Sequence, residues 1–471
     1  MGRTGLEPFL TPSWVHHTVF YQIFPERFCN GDPGNDPPGT QAWGSPPALD
    51  NFMGGDLLGV LQRLDYLEDL GVGAIYLNPV FQARSNHKYD HGDYLKVDPH
   101  FGTNQLLKDL VDEAHRRGMR IILDISHNHS GREFFAFADV VEKGEASPYK
   151  DWYHFYGFPV SGPEQPNYKG WWGLGTLPEF NHGNPEVREY FRQVTRYWME
   201  EVGIDGWRLD VANEVPHDYW AEWRALVKGI NPDAYIVGEI WGDGTPWLQG
   251  DNFDAVMNYV FRDAAVQFFA ERAITASAFD GAITQLLSRH PVQVNLAMFN
   301  LLGSHDTPRI LTVAQGDTAR VKLAMAFQMT YPGAPVIYYG DEIGMTGGKD
   351  PGCRGAFPWD PAQWNMELYR WVRQLTRLRR LEPALRSPEY QGVLADDRRG
   401  VYAYRRGAGP SALYVVLNNS SHAAEVAVPV AAWPGAAWAV ELLAETTHPV
   451  AGGEVALALA PGQAAVLKAL W

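Results

Sequence analysis

The sequence predicts an α/β fold: a (β/α)8 TIM barrel with an inserted subdomain after the third strand and a C-terminal antiparallel β-sandwich. Between about residues 18 and 385, short apolar segments alternate with longer amphipathic ones, as in parallel strands joined by helices. Eight strand-like segments are present, the number that closes a barrel. After about residue 388, six short strand-like runs separated by Gly, Pro and Asn indicate an antiparallel sandwich; they cover residues 402–406, 412–419, 424–430, 437–443, 454–460 and 464–470.

The eight predicted strands are apolar runs bounded by polar or turn-forming residues. In chain order they cover residues 18–24, 74–79, 120–125, 206–211, 235–240, 253–259, 296–303 and 334–340. Helical periodicity is clear at 105–117, which Gly118 ends, and at 184–203, where Asn184 can cap a helix with Pro185 in its first turn. This order of elements is that of a barrel built from βα units.

Uneven spacing predicts the domain boundaries. About 55 residues rich in Gly, Pro, Trp and Tyr separate the third strand from the helix near Asn184, and a connection of that length is usually functional or a small subdomain. The chain therefore divides into four parts. These are the first part of the barrel (1–128), an inserted subdomain B (129–184), the remainder of the barrel (185–387) and the C-terminal β-sandwich (388–471).

Composition and charge exclude several classes of partner. The net charge of −16 and the pI near 5.4 argue against nucleic acid and an anionic membrane surface. No long apolar run predicts a membrane span, and residues 1–14 lack the pattern of a secretory signal. Cys29 and Cys353 are not spaced as metal ligands, so a cytoplasmic protein with free thiols is expected. The 17 Trp, 22 Tyr and 22 Phe residues suit a ligand with apolar faces and a polar rim, such as a sugar.

Charged residues stand at the predicted carboxyl ends of several strands, where barrels of this kind form their active sites. Arg208 and Asp210 lie on the same face of the fourth strand, opposite its apolar residues. Glu239 ends the fifth strand, and Asp306 follows the seventh. Taken singly, Arg208 and Asp210 also fit a structural ion pair, and Glu239 fits a capping acid. Three acids at corresponding strand ends together favour a site.

Two further interpretations concern the chemistry of these residues. His127 and His129 have the spacing of an H-x-H metal pair, but no histidine cluster follows at later strand ends. Several carboxylates at one mouth repel each other, so some pKa values should rise while others are held low. One ionised and one protonated acid are what cleavage of a glycosidic bond requires. We therefore hypothesise that Arg208 keeps Asp210 ionised and oriented as a nucleophile.

Five motifs follow one another along the chain: DISHNH (124–129), GWRLDVANE (206–214), EIW (239–241), LLGSHD (301–306) and GDE (340–342). In this order they resemble the α-amylase family of retaining glycoside hydrolases, the family 13 type. Within it, the sequence is most similar to the neopullulanase, cyclomaltodextrinase and maltogenic amylase enzymes. The resemblance implies Asp210 as nucleophile, Glu239 as general acid/base and Asp306 as stabiliser of the transition state.

The resemblance also implies residues that bind substrate and metal. The expected substrate contacts are Tyr89, Asp124, Asn128, His129, Arg208 and His305 around the reacting sugar, Asn213, Glu214 and Trp241 on the acceptor side, and Asp350 and Arg354 further along the donor side. The expected ligands of a structural Ca²⁺ are Asn30, Asp32, Asn35, Asp36, Gly54 and Asp56. Oxygen ligands of this kind suit Ca²⁺, although the same residues also fit a turn that holds no ion.

The sequence departs from the subgroup in two respects. The first predicted strand begins near residue 18, so the subgroup's N-terminal β-domain is expected to be absent, which favours a monomer and weakens the expectation of cyclic substrates. Glu179 and His127 replace the subgroup's usual Lys and apolar residue. Both are expected near the substrate cleft, where they would alter linkage or chain-length preference.

The function expected from the resemblance is a retaining hydrolase of α-1,4 bonds in maltooligosaccharides, cyclodextrins or pullulan, with α-1,6 bonds as a further target and with transglycosylation. Its partner would be an α-glucan oligosaccharide. Alternatives within the same chemistry are an exo-acting α-glucosidase, an ordinary α-amylase and a glucanotransferase. From a different class, a non-catalytic sugar-binding barrel would lack the catalytic acids, all three of which are present here.

Overall fold

A computed structural model describes residues 9–471; residues 1–8, which belong to the predicted first domain and the N-terminal stretch, lie outside the described residues. Parallel strands form one sheet: β1 (Phe20–Ile23), β2 (Ala74–Leu77), β3 (Arg120–Ser126), β4 (Gly206–Asp210), β5 (Tyr235–Gly238), β6 (Ala255–Val256), β7 (Phe299–Leu301) and β8 (Ala334–Tyr338). The hydrogen-bonded order is β6-β5-β4-β3-β2-β1-β8-β7. A parallel bridge between Met257 and Phe299 joins the two outer strands, so the sheet closes into the predicted barrel.

The barrel strands are almost wholly buried, because one face lines the barrel and the other packs against helices. Along β4, Trp207 points outward, and its ring lies 6.3 Å from that of Trp223 on an outer helix. Arg208 points inward and pairs with Asp124, its register partner on β3. The alternation of the strand therefore places Arg208 and Asp210 at the barrel mouth.

Seven of the eight barrel strands are shorter than predicted, and two of them, β6 and β7, differ most. Only the two residues of β6 come from the range 253–259, and the start of the range 296–303 belongs to a helix, Val292–Ala297. Pro291 is the N-cap of that helix. The prediction was wrong at these places because a short apolar run does not distinguish a buried helical turn from a strand.

Helices cover the outside of the barrel. The longer ones are Asn104–Arg116, Pro185–Arg196, His217–Ile230, Ala276–Arg289, Thr318–Thr330 and Met366–Leu381. The shorter ones are Ser13–His16, Pro25–Phe28, Leu57–Gln62, Leu64–Leu70, Tyr259–Ala265, Val292–Ala297 and Ile310–Val313, and π-helical turns extend two helices over Tyr197–Val202 and Val266–Ala270. As predicted, Asn184 caps the helix that begins at Pro185, its side chain accepting from the N–H of Glu186. Within residues 9–471, no helix has both the length and the apolar character needed to cross a bilayer.

Two irregular segments rise above the carboxyl ends of the strands. A hairpin of Phe81–Ala83 and His91–Val97 follows β2. The long connection after β3 contains the helix Phe135–Lys143 and isolated antiparallel bridges, including one between Tyr153 and Phe180. Aromatic side chains hold this connection on the barrel; the ring of Phe180, for example, lies 5.2 Å from that of Phe191 on the helix Pro185–Arg196. The insertion thus forms one wall over the barrel mouth.

The C-terminal part is an antiparallel sheet folded over its own core. Its strands are β9 (Tyr390–Asp396), β10 (Val401–Arg406), β11 (Leu413–Asn418), β12 (Ala424–Pro429), β13 (Trp438–Glu441), β14 (Thr446–Ala451), β15 (Glu454–Leu459) and β16 (Ala464–Leu470). The order is β9-β10-β11-β16-β13-β14-β15-β12. Val416, Val428 and Leu467 belong to its core. Six of these strands match predicted runs, whereas β9 and β14 were missed because their exposed residues interrupt the apolar pattern.

Candidate active site

Arg208 lies at the centre of the candidate site and is completely buried. Its Nη1 contacts Oδ1 of Asp124 at 2.8 Å and Oδ1 of Asp210 at 3.0 Å. Its Nη2 lies 3.0 Å from Oε2 of Glu239. One guanidinium therefore joins carboxylates from the ends of three adjacent strands, β3, β4 and β5. Burying Arg208 would be very costly without these partners, because an unpaired charge loses its hydration.

The three acids around Arg208 bring more negative than positive charge into a buried place. Burial raises the pKa of Asp210 well above its usual value, and the charge of Glu239 raises it further, whereas Arg208 acts in the opposite direction. Burial likewise raises the pKa of Asp124 against the effect of Arg208. The hypothesis that Arg208 keeps Asp210 ionised is therefore incomplete. Arg208 orients the acids, but the group as a whole holds a proton more tightly than a solvated carboxyl group does.

Asp306 follows β7 and is more accessible than the other two predicted catalytic acids, with 28% of its side chain exposed. Its Oδ1 accepts a hydrogen bond of 3.2 Å from Nη2 of Arg354, and its Oδ2 lies 3.2 Å from Nε2 of His305. Arg354 also pairs with Asp350 at 3.1 Å and donates through Nε to the backbone carbonyl of His305 at 2.9 Å. Arg354 thus connects the donor-side residues into one group.

Two neighbours determine the state of the His305 ring. The amide nitrogen of Gln22, on β1, donates to Nδ1 at 2.8 Å, so the ring proton of a neutral His305 lies on Nε2. Burial lowers the pKa of His305 well below its usual value and keeps the ring neutral. Nε2 then faces the hydroxyl of Tyr89 at 2.7 Å, and that hydroxyl donates to Oδ2 of Asp124 at 2.7 Å. The half-buried ring of Tyr89 lies parallel to His305, with centroids 5.6 Å apart.

Sequence reasoning missed three residues of this network: Gln22, Tyr76 and Asn78. Tyr76 donates to Oδ2 of Asp124 at 2.6 Å, and Asn78 donates to the hydroxyl of Tyr89 at 3.0 Å. The signal was present in the sequence. Gln22 and Asn78 interrupt or end apolar strands, which is the same pattern that drew attention to Arg208.

His129, which follows β3, lies beside Asp210, and Asn128 contacts His129. Nε2 of His129 lies 3.9 Å from Oδ2 of Asp210. Burial lowers the pKa of His129 to about 3, so its ring is neutral at physiological pH. The side-chain amide of Asn128 contacts Nδ1 of His129 at 3.3 Å. A neutral imidazole next to the predicted nucleophile can donate to a sugar hydroxyl without adding charge.

On the predicted acceptor side, the side chain of Trp241 contacts Glu239 directly. Its indole N–H donates to Oε1 of Glu239 at 3.0 Å, and its half-exposed ring lies parallel to Tyr259 with centroids 3.9 Å apart. Asn213 and Glu214 are exposed in the turn that follows β4. The structure thus joins Trp241 to the predicted acid/base and leaves Asn213 and Glu214 facing solvent at the rim.

The prediction that His127 lies near the substrate cleft is wrong. His127 is buried, its Nδ1 lies 2.6 Å from the hydroxyl of Tyr219, and its ring is parallel to Phe191 at 4.2 Å. It therefore packs between two outer helices, whereas His129 faces the site. Because the two side chains diverge, they do not form an H-x-H metal pair.

Glu179 approaches the site only through its backbone, which forms a bridge with His129. Its buried carboxylate pairs with Nζ of Lys169 at 2.5 Å. The Lys-to-Glu departure is therefore compensated within the insertion by a lysine that the sequence comparison did not single out. Glu179 affects the shape of the insertion rather than offering a free charge to a ligand.

The six predicted calcium ligands lie in two neighbouring loops, and the carboxylates of Asp32 and Asp56 already accept hydrogen bonds from backbone N–H groups. Oδ1 of Asp32 accepts from the N–H of Gly34, and both carboxylate oxygens of Asp56 accept N–H groups, one of them from Gly59 at the start of a helix. These carboxylates shape their loops whether or not an ion is present.

Asn30 and Asn35 are better suited to a cation. Their amide nitrogens donate to Asp36 at 2.9 Å and to Asp56 at 3.3 Å, while Oδ1 of each asparagine is buried without a hydrogen-bond partner. A Cβ atom at Gly54 would collide with Asp36, so only glycine permits this approach of the loops. No cluster of three His, Cys, Asp or Glu side chains within residues 9–471 could hold a metal, so an ion here would depend on amide and carbonyl oxygens. The unpartnered oxygens fit Ca²⁺.

Two family matches cover most of the chain. Residues 22–378 match the alpha amylase catalytic domain, and residues 390–466 match the maltogenic amylase C-terminal domain.

Individual relatives are similar over almost the whole chain. It is 50% identical to a cyclomaltodextrinase of Geobacillus thermopakistaniensis (strain MAS1) over 436 residues, which cover 92% of this chain and 74% of the relative. It is 48% identical to neopullulanase 2 of Thermoactinomyces vulgaris over 464 residues, or 98% of this chain and 79% of the relative. A solved structure of the cyclic α-maltosyl-(1→6)-maltose hydrolase from Arthrobacter globiformis, in complex with cyclic α-maltosyl-(1→6)-maltose, is 41% identical with a TM-score of 0.90, covering 98% of this chain and 100% of that one.

Proposed function

The chain belongs to the α-amylase family and is a glycosidase, and on this premise we propose that it is a retaining hydrolase of short or cyclic α-glucans, with Asp210 as nucleophile and Glu239 as general acid/base. The observation that carries the proposal is the guanidinium of Arg208, which contacts Asp210 and Glu239 through different nitrogens, each at 3.0 Å. A double displacement requires two carboxyl groups beside the glycosidic bond. Here one cation, Arg208, holds both of them in a fixed orientation.

In the first step, Glu239 gives its proton to the glycosidic oxygen as Asp210 attacks the anomeric carbon. The bond between that carbon and the leaving oxygen breaks, and its electron pair stays with the departing sugar. The N–H groups of Val211 and Trp241 each contact one oxygen of Glu239 at 3.0 Å and hold the carboxyl group in place. The step requires the proton to be on Glu239 and Asp210 to be ionised when the substrate is bound.

In the second step, water attacks the anomeric carbon of the β-glycosyl ester and gives a proton to Glu239. The electron pair of the ester bond returns to Asp210. Each step inverts the anomeric carbon, so the product keeps the α configuration. Asp306, held by Arg354, can accept hydrogen bonds from sugar hydroxyls as positive charge develops on the sugar ring. The neutral rings of His129 and His305 can donate hydrogen bonds to other hydroxyls of the same sugar.

The substrate class is supported by the relatives. They include a cyclomaltodextrinase, a neopullulanase and a hydrolase of cyclic α-maltosyl-(1→6)-maltose, and the last is similar along its entire length. The first and the last of these names specify cyclic glucose chains, and the last also specifies an α-1,6 linkage. The proposed targets are therefore both α-1,4 and α-1,6 bonds.

Parallel digestion of cyclodextrin, pullulan, starch and maltotriose tests this proposal. We expect cyclodextrin to be cleaved faster than starch, panose to be released from pullulan, and the first products to have the α configuration in NMR spectra. Rapid attack on starch with cyclodextrin intact would instead indicate an ordinary α-amylase. Initial β products would contradict the double displacement.

We also propose that Ca²⁺ binds between the loops of residues 30–36 and 54–56. The unpartnered Oδ1 atoms of Asn30 and Asn35 and the carboxylate of Asp36 support it. Such an ion would tie the two loops together and take no direct part in the chemistry. The proposed role is therefore structural.

A further inference from the structure

Arg27 is a buried cation that the proposed chemistry does not use. It lies in the short helix Pro25–Phe28, just after β1, and only 1% of the residue is exposed. Nη1 contacts the carboxylate of the neighbouring Glu26, and burial lowers the pKa of Arg27 to about 10, so the guanidinium stays charged at neutral pH. A buried charge is costly unless its donors are bonded. The partners of its other two nitrogens therefore indicate what Arg27 does.

The segment around Arg27 holds both the backbone and the side chain of Arg354. Nε of Arg27 donates to the backbone carbonyl of Arg354 at 3.0 Å. The guanidinium of Arg354 lies 5.4 Å from the centre of the ring of Phe24. The carbonyl of Arg27 also accepts from the N–H of Phe357 at 2.8 Å. Because Arg354 connects the donor-side acids, these three contacts fix the donor side of the cleft from behind.

Nη2 of Arg27 reaches a second segment of the cleft through Asn51. It donates to Oδ1 and to the backbone carbonyl of Asn51, at 2.8 and 3.0 Å. The same carbonyl accepts from the side-chain amide of Asn86 at 2.8 Å, and Tyr89 follows Asn86 by three residues. Asn51 and Asn86 are both buried. One guanidinium thus connects the segment that carries Arg354 with the segment that carries Tyr89.

We infer that Arg27 is a positioning residue that fixes Arg354 and thereby makes the enzyme favour a donor of two glucose units over a donor of one. The inference rests on the proposed function and on the expectation that Arg354 contacts a sugar beyond the reacting one. A displaced Arg354 would weaken its contact with that second sugar, because hydrogen bonds weaken steeply as their distance and angle change. The reacting sugar has further expected contacts, among them His129 and His305, and should be affected less.

The test compares α-maltosyl fluoride with α-glucosyl fluoride as donors. Both place the same sugar at the reacting position, and fluoride release gives kcat/KM for each, so the ratio of the two values isolates the second sugar. Arg27→Lys keeps the charge beside Glu26 but cannot donate to Arg354 and Asn51 together. We expect this variant to lower the ratio about tenfold, which corresponds to the loss of one hydrogen bond from a charged group. Asn51→Ala removes one acceptor of Arg27 and should lower the ratio by a smaller factor. It decides the question if Arg27→Lys does not fold.

Arg379→Lys is the matched control. Arg379 is equally buried and also donates to backbone carbonyls, among them those of Met329 and Gly333, but Gly333 precedes β8 and lies at the amino ends of the strands, away from the cleft. This variant should lower Tm and keep the wild-type ratio. Asn86→Ala should instead lower kcat/KM for both fluorides alike, because it releases the segment of Tyr89, which faces the reacting sugar.

Three results would contradict the positioning role and leave the proposed function intact. One is an unchanged ratio in Arg27→Lys and Asn51→Ala, with fluoride still released. Another is an equal fall of the ratio in Arg379→Lys, which would indicate general loosening of the fold. The third is a wild type with the same kcat/KM for both fluorides. Failure of the wild type to release fluoride from either donor would refute the proposed function itself.

Discussion

The side-chain amide of Gln22 donates a 2.8 Å hydrogen bond to Nδ1 of His305. A residue on β1 thereby determines which nitrogen carries the proton in a histidine that follows β7. The proton on Nε2 faces Tyr89 and Asp306, where a sugar hydroxyl would bind. Such outer contacts fix the tautomer and orientation of a functional imidazole.

Gln22→Glu is therefore expected to lower kcat/KM on maltotriose by at least about tenfold, the effect typical of removing an orienting partner. The new carboxylate would draw a proton to Nδ1 and disturb the donor at Nε2. Gln22→Met, which has similar length but no hydrogen bond, should lose less activity because it adds no charge. Wild-type kcat/KM in Gln22→Glu would show that the tautomer does not matter.

Asp210→Asn should reduce turnover of maltotriose by about 10⁴-fold or more, since an amide cannot form the glycosyl ester. The fold and maltotriose binding, measured by calorimetry, should persist because the amide oxygen can still accept from Arg208. Asp218→Asn is the control, as that exposed carboxylate pairs with Arg188 at 2.6 Å on the outer surface. Substantial turnover in purified Asp210→Asn would exclude it as the nucleophile.

The buried carboxyl group of Glu342 should make the stability of the folded protein depend on pH. It is completely buried, accepts hydrogen bonds from Tyr21 and Tyr66, and burial raises its pKa to about 7. Because the folded state binds this proton more tightly than the unfolded state, the stabilisation is complete below the unfolded pKa. As the pH rises from 4.5, the pKa of this group in the unfolded state, through about 7, its pKa in the folded state, the free energy of unfolding falls by about 3 kcal/mol.

Glu342→Gln should therefore weaken the decline in Tm between pH 5 and pH 8, measured by calorimetry. Asp341, whose pKa burial raises to about 6, stays in the variant and preserves part of the decline. Glu367→Gln, an exposed acid on the outer surface, should retain the wild-type profile. Parallel Tm curves for Glu342→Gln and wild type would refute the assignment.

Lys88 forms a buried ion pair that holds the loop carrying Tyr89. Its Nζ lies 2.8 Å from Oδ2 of Asp98, both side chains are almost fully buried, and its φ is +65°. Lys88→Met should destabilise the protein by about 3 kcal/mol, because the buried carboxylate of Asp98 loses its only lysine or arginine partner in the described chain. Lys322→Met removes an exposed pair and should cost less than about 1 kcal/mol.

The Lys88 variant should also raise KM for maltotriose, since Tyr89 depends on the conformation of the loop. The measurements are Tm and steady-state kinetics of the two lysine variants. Equal Tm values for both would mean that the buried pair contributes no more than the exposed one.

Removal of calcium should lower Tm if an ion joins the two loops. We expect EDTA to lower Tm by several degrees and added Ca²⁺ to restore it, because an ion that binds only the folded state stabilises it. Asn30→Ala and Asn35→Ala should each diminish this shift, whereas Asn213→Ala, in an exposed turn, should keep it. An identical Tm in EDTA and in Ca²⁺ would indicate that the loops of residues 30–36 and 54–56 form a turn that binds no ion.

Sequence patterns predicted the barrel because hydrophobic periodicity and the positions of turn-forming residues are local properties of the chain. They also pointed to Arg208, Asp210 and Glu239, since charges at the ends of buried strands are too costly to lack a partner or a role. Gln22 interrupts an apolar strand as Arg208 does, but a single sequence does not show what it pairs with, since its partner, His305, is 283 residues away. The monomeric state and the cytoplasmic location stay predictions.

Taken alone, the sequence determined which strands carry acids and which end of the barrel receives them, because side-chain alternation and parallel order follow from the backbone. Only the tertiary structure decided that His127 packs into helices while His129 faces Asp210, and that Lys169 neutralises Glu179. It also decided that the guanidinium of Arg208 contacts three carboxylates. Such outcomes depend on distances between segments remote in the chain, and electrostatic free energies depend on those distances and on burial.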